Sequence, residues 1–372
     1  MSRTLALASR RVEGLSGAVR LILAEARAAS DAGWTVDVYS EKLDAAAARQ
    51  AGARPRRIPR WRWGSGLKRR IFAALAGRAA RGHDVVHGHG DLLEQDLLSL
   101  HNCVHAAHEA ATGLPLPESD AVGRSHAIQL KERRFRLLAA NSKLMKDDAA
   151  RRFGVPEEMI EVVYPGFDES RFRTSDRARL GAGLRRELGL TVDQPLFGLI
   201  TSGDFEKRGV TPFLRAFAKT LEQVPTARAL IVGKETRPGP YIKSAEELRI
   251  ADKVFFRQPV SEVERLYHGI DVYVHAAKWE EFGMTVLEAM ACGLPVIAGA
   301  KVGAAELLEG PAREFVLDGL SPEALAAAMT RLARDPALRA RLSTSGAAAA
   351  APYTLAAHGR AVLSLYERLL KK

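Results

Sequence analysis

Residues 275–299 read HAAKWEEFGMTVLEAMACGLPVIAG, and the alternation within and around this stretch decides the fold. The residues leading into it, DVYVH at 271–275, alternate polar and apolar in the manner of a strand. A charged loop runs through Glu281 to a break at Gly283. An apolar pattern of helical period then continues through Cys292, Gly293 stands where that helix would stop, and PVIAG is a second strand. Strand, loop, helix and strand make a parallel crossover unit. Its loop lies at the carboxyl end of the first strand, and the helix that follows turns free backbone N–H groups and a partial positive charge toward the crevice, which suits an anion.

Two carboxylates frame the loop, Glu280 and Glu288. A carboxylate accepts from two hydroxyls at once, so a pair beside an anion site suits a ligand that carries vicinal diols and a phosphate, such as a nucleotide sugar. The plainer alternative is that Glu288 closes a capping box with Thr285 and that Glu280 is a solvated charge.

A chain of 372 residues, 47% of them hydrophobic, is long enough for two domains with sizeable cores. It has no apolar, uncharged window of about 18 residues, and the apolar run before the first arginines is short for a signal peptide, so the expectation is a cytoplasmic enzyme. Cys103 and Cys292, far apart and each in apolar surroundings, read as reduced and packed. The formal net charge of +11 concentrates in RPRRIPRWRWGSGLKRR, residues 54–70. There Arg57, Arg60, Trp61, Arg62 and Trp63 interleave guanidinium groups with indole rings, as suits an anionic membrane surface on the inner face of the cytoplasmic membrane. A solvated loop is the alternative, and nucleic acid comes behind both.

Working outward, residues 5–8 form a short strand, a helix runs from Ala18 to about Ala32 behind Gly14 and Gly17, Gly33 ends it, and WTVDVYS is the next strand. No G-x-G-x-x-G is present, so a dinucleotide site is poorly supported. HDVVHGHGDL and LLSLHN read as strands that bring His89 and His101 to the carboxyl edge of a sheet, where open α/β folds bind ligands. The histidines at 101, 105 and 108, spaced as on one helix face, with Cys103 and Glu109 nearby and the His87-x-His89 pair, raise a zinc hydrolase as a rival. That rival lacks H-E-x-x-H and a glutamate between His105 and His108, so no metal is expected. Further on, a helix ends at Phe153, IEVVY is a strand, and residues 171–190 read as an arginine-rich linker with a flanking helix. PLFGLIT opens a second domain. Lys207 and Arg208 end its first loop, SGDFEKRGV, where a cation and a bidentate fork can meet a diphosphate. ALIVGK and KVFFRQPV are later strands, residues 322–351 are helical, and a last helix places Val362, Leu363, Tyr366 and Leu369 on one face.

The run EEFGMTVLEAMACGLPVIA, residues 280–298, resembles the signature of retaining glycosyltransferases of family 4, and the likeness extends over nearly the whole chain. It implies the GT-B fold, an α/β architecture of two Rossmann-like, doubly wound parallel-sheet domains facing across a cleft. The first would be the acceptor domain, residues 1–170 with the helix 353–372 crossing back, and residues 191–352 the nucleotide-sugar domain. The resemblance also implies roles. Glu280 holds sugar hydroxyls, Glu288 the ribose diol, and His101 orients the sugar. Lys207 and Arg208 meet the diphosphate together with amides along Phe282, Gly283, Met284 and Thr285. Backbone around Arg257 and Gln258 reads the base, and Ser16, Gly17 and Arg20 face the donor phosphates or the acceptor. Gly203 stands where the family usually has an arginine, and the basic pair runs Lys-Arg. The form G-D-F-x-basic-basic-G is most similar to the branch that glucosylates lipopolysaccharide core, which points to UDP-glucose as donor and a glycan or lipid-linked acceptor. Reaction with retention and without a cofactor is implied as well, and the absence of D-x-D agrees with a metal-free diphosphate site. A basic nucleic-acid-binding protein and a nucleotide-cofactor oxidoreductase are the rivals from other classes, and neither accounts for residues 280–299.

Overall fold

The computed structural model describes residues 3–14, 16–61 and 64–371. Among these described residues fifteen strands fall, in chain order, at β1 (Thr4–Ala8), β2 (Arg11–Val12), β3 (Thr35–Ser40), β4 (Lys42–Leu43), β5 (Arg54–Arg57), β6 (Val85–Gly88), β7 (Leu97–Ser99), β8 (Leu137–Ala140), β9 (Ile160–Val162), β10 (Leu196–Ile200), β11 (Arg228–Val232), β12 (Val254–Arg257), β13 (Val272–His275), β14 (Val296–Gly299) and β15 (Val316–Leu317). Two units divide them: residues 1–166 with 353–372, and residues 167–352.

In the first unit the sheet runs β5-β3-β1-β6-β7-β8-β9, and in the second β12-β11-β10-β13-β14-β15, each pairing parallel. Both orders reverse direction once, between β1 and β6 and between β10 and β13, which is the doubly wound pattern with its ligand crevice at the switch point. The strands form because a parallel sheet is covered on both faces, so LFGLI and VIAG can be apolar at every position.

The helix Gly17–Asp31 starts at Ser16, whose hydroxyl accepts from the Val19 N–H at 3.4 Å. Its face of Val19, Ile22, Ala26 and Ala29 packs in one core with Val36 and Val38 of β3 and with Val362, Leu365, Tyr366 and Leu369 of the last helix, Leu355–Leu370. Leu365 therefore occupies the buried face where Leu363 was expected, and Leu363 is only partly buried. Residues 171–190 contribute the helix Arg177–Glu187, which packs inside the second unit, where Arg185 reaches the Gly269 carbonyl and Asp271.

Three further sequence expectations change. The strand expected to end at His101 stops at Ser99. His101 precedes the helix Val104–Thr112, so it does not share a helix face with His105 and His108. Residues 54–57 are not loop but the edge strand β5, where Pro55 is tolerated for want of an outer partner. Arg54 and Arg56 there bind Asp37, which also meets His83. Burial would raise the Asp37 carboxyl, but the hydrogen bonds from Arg54, His83 and Arg56 hold it below its ordinary value.

Candidate functional site

In the second unit, the loops after β10 and β13 leave neighbouring strands at the switch point. The first is braced as a tight turn. Gly203 has φ +141°, and an added Cβ would meet the Lys234 carbonyl at 2.5 Å. Asp204 sits at φ +58°, and the Phe205 N–H donates to Glu235 at 3.0 Å. Gly209 caps the helix Val210–Gln223 in the left-handed conformation, pressed against the backbone of Ala276. That close approach ties the first loop to the end of β13, and it sets Arg208 directly against the carboxylate of Glu280. Both side chains are largely withdrawn from solvent, 26% and 12% exposed. Burial lowers the Arg208 guanidinium below its ordinary value, with Glu281, Tyr273 and Asp204 opposing. Lys207 instead lies outward, paired with Asp204 at 3.2 Å.

The second loop is held by residues 301–304. Glu280 N–H donates to the Lys301 carbonyl at 3.0 Å, Gly303 N–H returns a bond to Glu280 at 3.0 Å, and Ala304 N–H donates to Phe282 at 2.6 Å. Gly283, at φ +93°, then caps the helix Met284–Ala291. Thr285 is its second residue and hydrogen-bonds Tyr273. The capping box with Glu288 therefore does not form. Glu288 is 3% exposed and accepts from the Tyr267 hydroxyl at 3.0 Å. Arg257 ends β12, its carbonyl taking the Gly233 N–H and its side chain pairing with Glu187, with Gln258 exposed beside it.

Sequence reading missed Tyr267, Tyr273 and His275. In β13, Tyr273 and His275 point to one face, and the Tyr273 hydroxyl donates to the Ile200 carbonyl at 3.0 Å, linking the two switch-point strands. His275 lies 3.8 Å from Glu280, and burial, then Arg208, push it down to about 3, so it is neutral beside the pair. The alternation of VYVH held the signal, since its two polar-tipped residues share a face.

In the first unit, Ser16 and Gly17 open the helix after β1, with Arg20 in its first turn, while His89 directly follows β6. His101 lies beside His89, with His101 Nε2 3.0 Å from His89 Nδ1 and the rings within 4° of parallel. Burial, then His89, push His101 down to about 3, so it is a neutral ring. Among the described residues, one group could place three metal-ligand atoms together, Glu25, His87 and His89. Of the residues named for the zinc rival, His87 and His89 belong to this group, whereas Cys103, His105, His108 and Glu109 join no such group among the described residues. Arg57, Arg60 and Trp61 are exposed, whereas Arg62 and Trp63 lie outside the described residues. Among the described residues no helix is long and apolar enough to cross a membrane.

The family model described as Glycosyltransferase Family 4 matches residues 15–171, and that described as Glycosyl transferases group 1 matches residues 184–348. The chain is 30% identical over 303 residues to a D-inositol 3-phosphate glycosyltransferase of Salinispora arenicola, covering 73% of this chain and 66% of that one. It is 31% identical over 320 residues to the protein of that name from Streptomyces griseus, covering 76% and 65%. The chain thus spans about two thirds of the length of these curated relatives. Its fold matches that of WaaG, a glycosyltransferase involved in lipopolysaccharide biosynthesis, with a TM-score of 0.81 at 20% identity over 97% of this chain and 99% of that one. Anabaena Alr3699/HepE, in complex with UDP and glucose, matches with a TM-score of 0.76 at 20% identity over 98% and 100%.

Proposed function

The chain carries a glycosyltransferase family 4-like domain followed by a group 1 glycosyl transferase domain, in two Rossmann-like units of the GT-B type, and from that premise we propose that it transfers a hexose from a nucleoside diphosphate sugar, with retention, to a glycan or lipid-linked acceptor. The observation that carries this reading is the meeting of Arg208 and Glu280 where β10 and β13 release their loops. Arg208, Lys207 and the amides from Gly283 to Thr285 would take up charge developing on the leaving diphosphate. Preorganised donors of this kind, in a site shielded from water, are worth far more than in bulk solvent. Such a set calls for no metal. Glu280 would hold sugar hydroxyls and Glu288, oriented by Tyr267, the ribose diol.

UDP-glucose is the proposed donor and a phosphorylated, lipid-linked heptose of lipopolysaccharide core the proposed acceptor. Support comes from the glucosyltransferase-like form of residues 203–209 and from fold neighbours solved with UDP-glucose or involved in lipopolysaccharide biosynthesis. The inositol-phosphate relatives favour a second acceptor, a phosphorylated cyclitol. Calorimetric titration of UDP-, GDP- and ADP-hexoses, followed by transfer assays on both acceptors, tests the reading. One donor is expected to bind, and Glu288→Gln to weaken it by about tenfold, the scale of one charge-assisted hydrogen bond. A panel without binding, or unchanged affinity in the variant, speaks against the assignment.

We further propose that the exposed Arg57, Arg60 and Trp61, with Arg62 and Trp63, hold the enzyme at the anionic inner face of the cytoplasmic membrane. Substituting Arg57, Arg60 and Arg62 with Ser is expected to lower the affinity for phosphatidylglycerol liposomes, read by flotation, by about a hundredfold, near 1 kcal/mol for each of the three arginines. Equal flotation of the substituted and unchanged proteins would exclude this surface.

A further inference from the structure

Parallel neighbours in a sheet are ordinarily joined by a helical crossover that covers one face of the sheet. β6 and β7 pair parallel but are joined by residues 89–96, which contain no helix. The helix Ser65–Ala80 packs Phe72, Ala76 and Ala80 against that face beside Val86 of β6, and next to it a groove of about 840 Å³ is left.

The helix and its cap line the groove with Arg70, Ala73, Ala74, Gly77, Arg78 and Arg81, the three- and four-residue spacing of one helix face. Small residues hold the middle, where a Cβ added at Gly77 would meet nothing within 4 Å, and arginines stand at both ends. Across the groove Arg134 pairs with Glu132 at 2.9 Å and Arg136 with Asp96 at 3.5 Å. Arg70, Arg78 and Arg81 are exposed and have no ion pair among the described residues. Gln95 also lines the groove. It is 6% exposed, neither atom of its amide has a hydrogen-bond partner, and its Oε1 lies so near Gly88 that a Cβ added there would be 2.3 Å away.

We propose that this groove in the first unit binds a small molecule bearing two or more phosphate groups, at a site separate from the crevice of His89 and His101. Arg78 and Arg81 lead into the start of β6, and Arg134 and Arg136 into the start of β8, so the groove opens at the amino edge of the sheet. His89 and His101 follow the ends of β6 and β7, at the carboxyl edge. Three unpaired guanidinium forks gathered near one exposed carboxylate, Glu94, select for an anion. Arg70 and Arg78 are eight residues apart, about 12 Å along the helix. That is farther than one phosphate spans, so the two ends suit separate phosphates. The carbonyl end of the helix accounts for the sign of Arg78 and Arg81 but not for Arg70, two turns earlier. A turn about the terminal torsions of Gln95 would set its amide against a phosphate oxygen, a partner that the fold does not supply. The volume is in the range of sites for small organic ligands.

A free phosphorylated compound and a lipid headgroup share this chemistry, and two arms separate them. Full-length protein is titrated with tripolyphosphate by calorimetry, and floated with phosphatidylcholine vesicles that contain phosphatidylinositol 4,5-bisphosphate. Binding of tripolyphosphate assigns a free ligand, and binding to the vesicles alone assigns a headgroup. In the arm that binds, Arg70→Gln with Arg78→Gln is expected to weaken affinity about a hundredfold, near tenfold for each charge-assisted contact. Gly77→Leu fills the groove without changing charge and is expected to cost about tenfold. Arg313→Gln with Arg341→Gln removes the same charge from exposed positions in the second unit and is expected to stay within about twofold. Gln95→Met is expected to weaken binding about threefold and to keep or raise Tm, because it removes an unpartnered polar group. No binding in either arm, wild-type affinity in folded Gly77→Leu, or equal losses from the two arginine pairs overturns the site. No sugar donor enters this experiment, so its failure and a failure of the transferase reading are separate results.

Discussion

Arg208→Ala is expected to reduce kcat/KM for sugar transfer by about a thousandfold, the scale of removing one preorganised donor from a developing oxyanion. Two features make this the largest catalytic effect in the molecule. Arg208 is withdrawn from water, so its charge acts through a weakly screening medium. It is also held by Gly209 and Glu280, so little reorganisation remains at the moment of reaction. Lys207, exposed and paired with Asp204, is expected to cost only about tenfold on truncation. Arg208→Lys should recover a minor part, because an ammonium lacks the planar fork. Steady-state kinetics with the donor identified by titration checks the series. An Arg208→Ala enzyme within a few-fold of wild type, or a Lys207→Ala loss exceeding it, would move the diphosphate site elsewhere.

The largest stability effect is expected at Gly209. Its φ of +72° disfavours any side chain, and an added Cβ would run into the Ala276 carbonyl, a backbone atom that cannot step aside. Left-handed strain and steric overlap together put Gly209→Ala at about 2–4 kcal/mol, or roughly 5–15 °C in Tm for a unit of this size. Gly183→Ala is the matched control. It lies inside the helix Arg177–Glu187, has open space where a Cβ would be added and no left-handed φ, so its Tm should stay or rise slightly. Scanning calorimetry compares the two, and equal melting would mean that the approach of the loop to β13 is not tight.

Much of this was legible in the chain because parallel strands covered on both faces announce themselves as apolar runs. β10 and β14 are of that kind, as is β11 after Arg228, while β13 was legible by its alternation, and glycines mark where their helices begin or end. Local spacing also put Arg208 and Glu280 on loops after strands. It could not tell that those strands are neighbours, since that depends on the order of the sheet. RPRR hid the edge strand β5 because an outermost strand needs no apolar alternation, and its arginines answer to Asp37, distant in sequence. Histidine spacing misled at 101, 105 and 108 because the helix begins only at Val104. The pairing of Glu25 with His358 joins residues at opposite ends of the chain, and no periodicity carries that information.

The way the last helix returns has a consequence for biogenesis. Gly166 lies against the backbone of Thr354, so the second unit is an insert whose two ends depart from one spot on the first. Residues 167–352 are contiguous and can close their sheet as they leave the ribosome. The apolar flank of Gly17–Asp31 must wait for Val362, Tyr366 and Leu369, which follow the whole insert in the chain. One side of the first unit's core can therefore be covered only after the second unit has been synthesised.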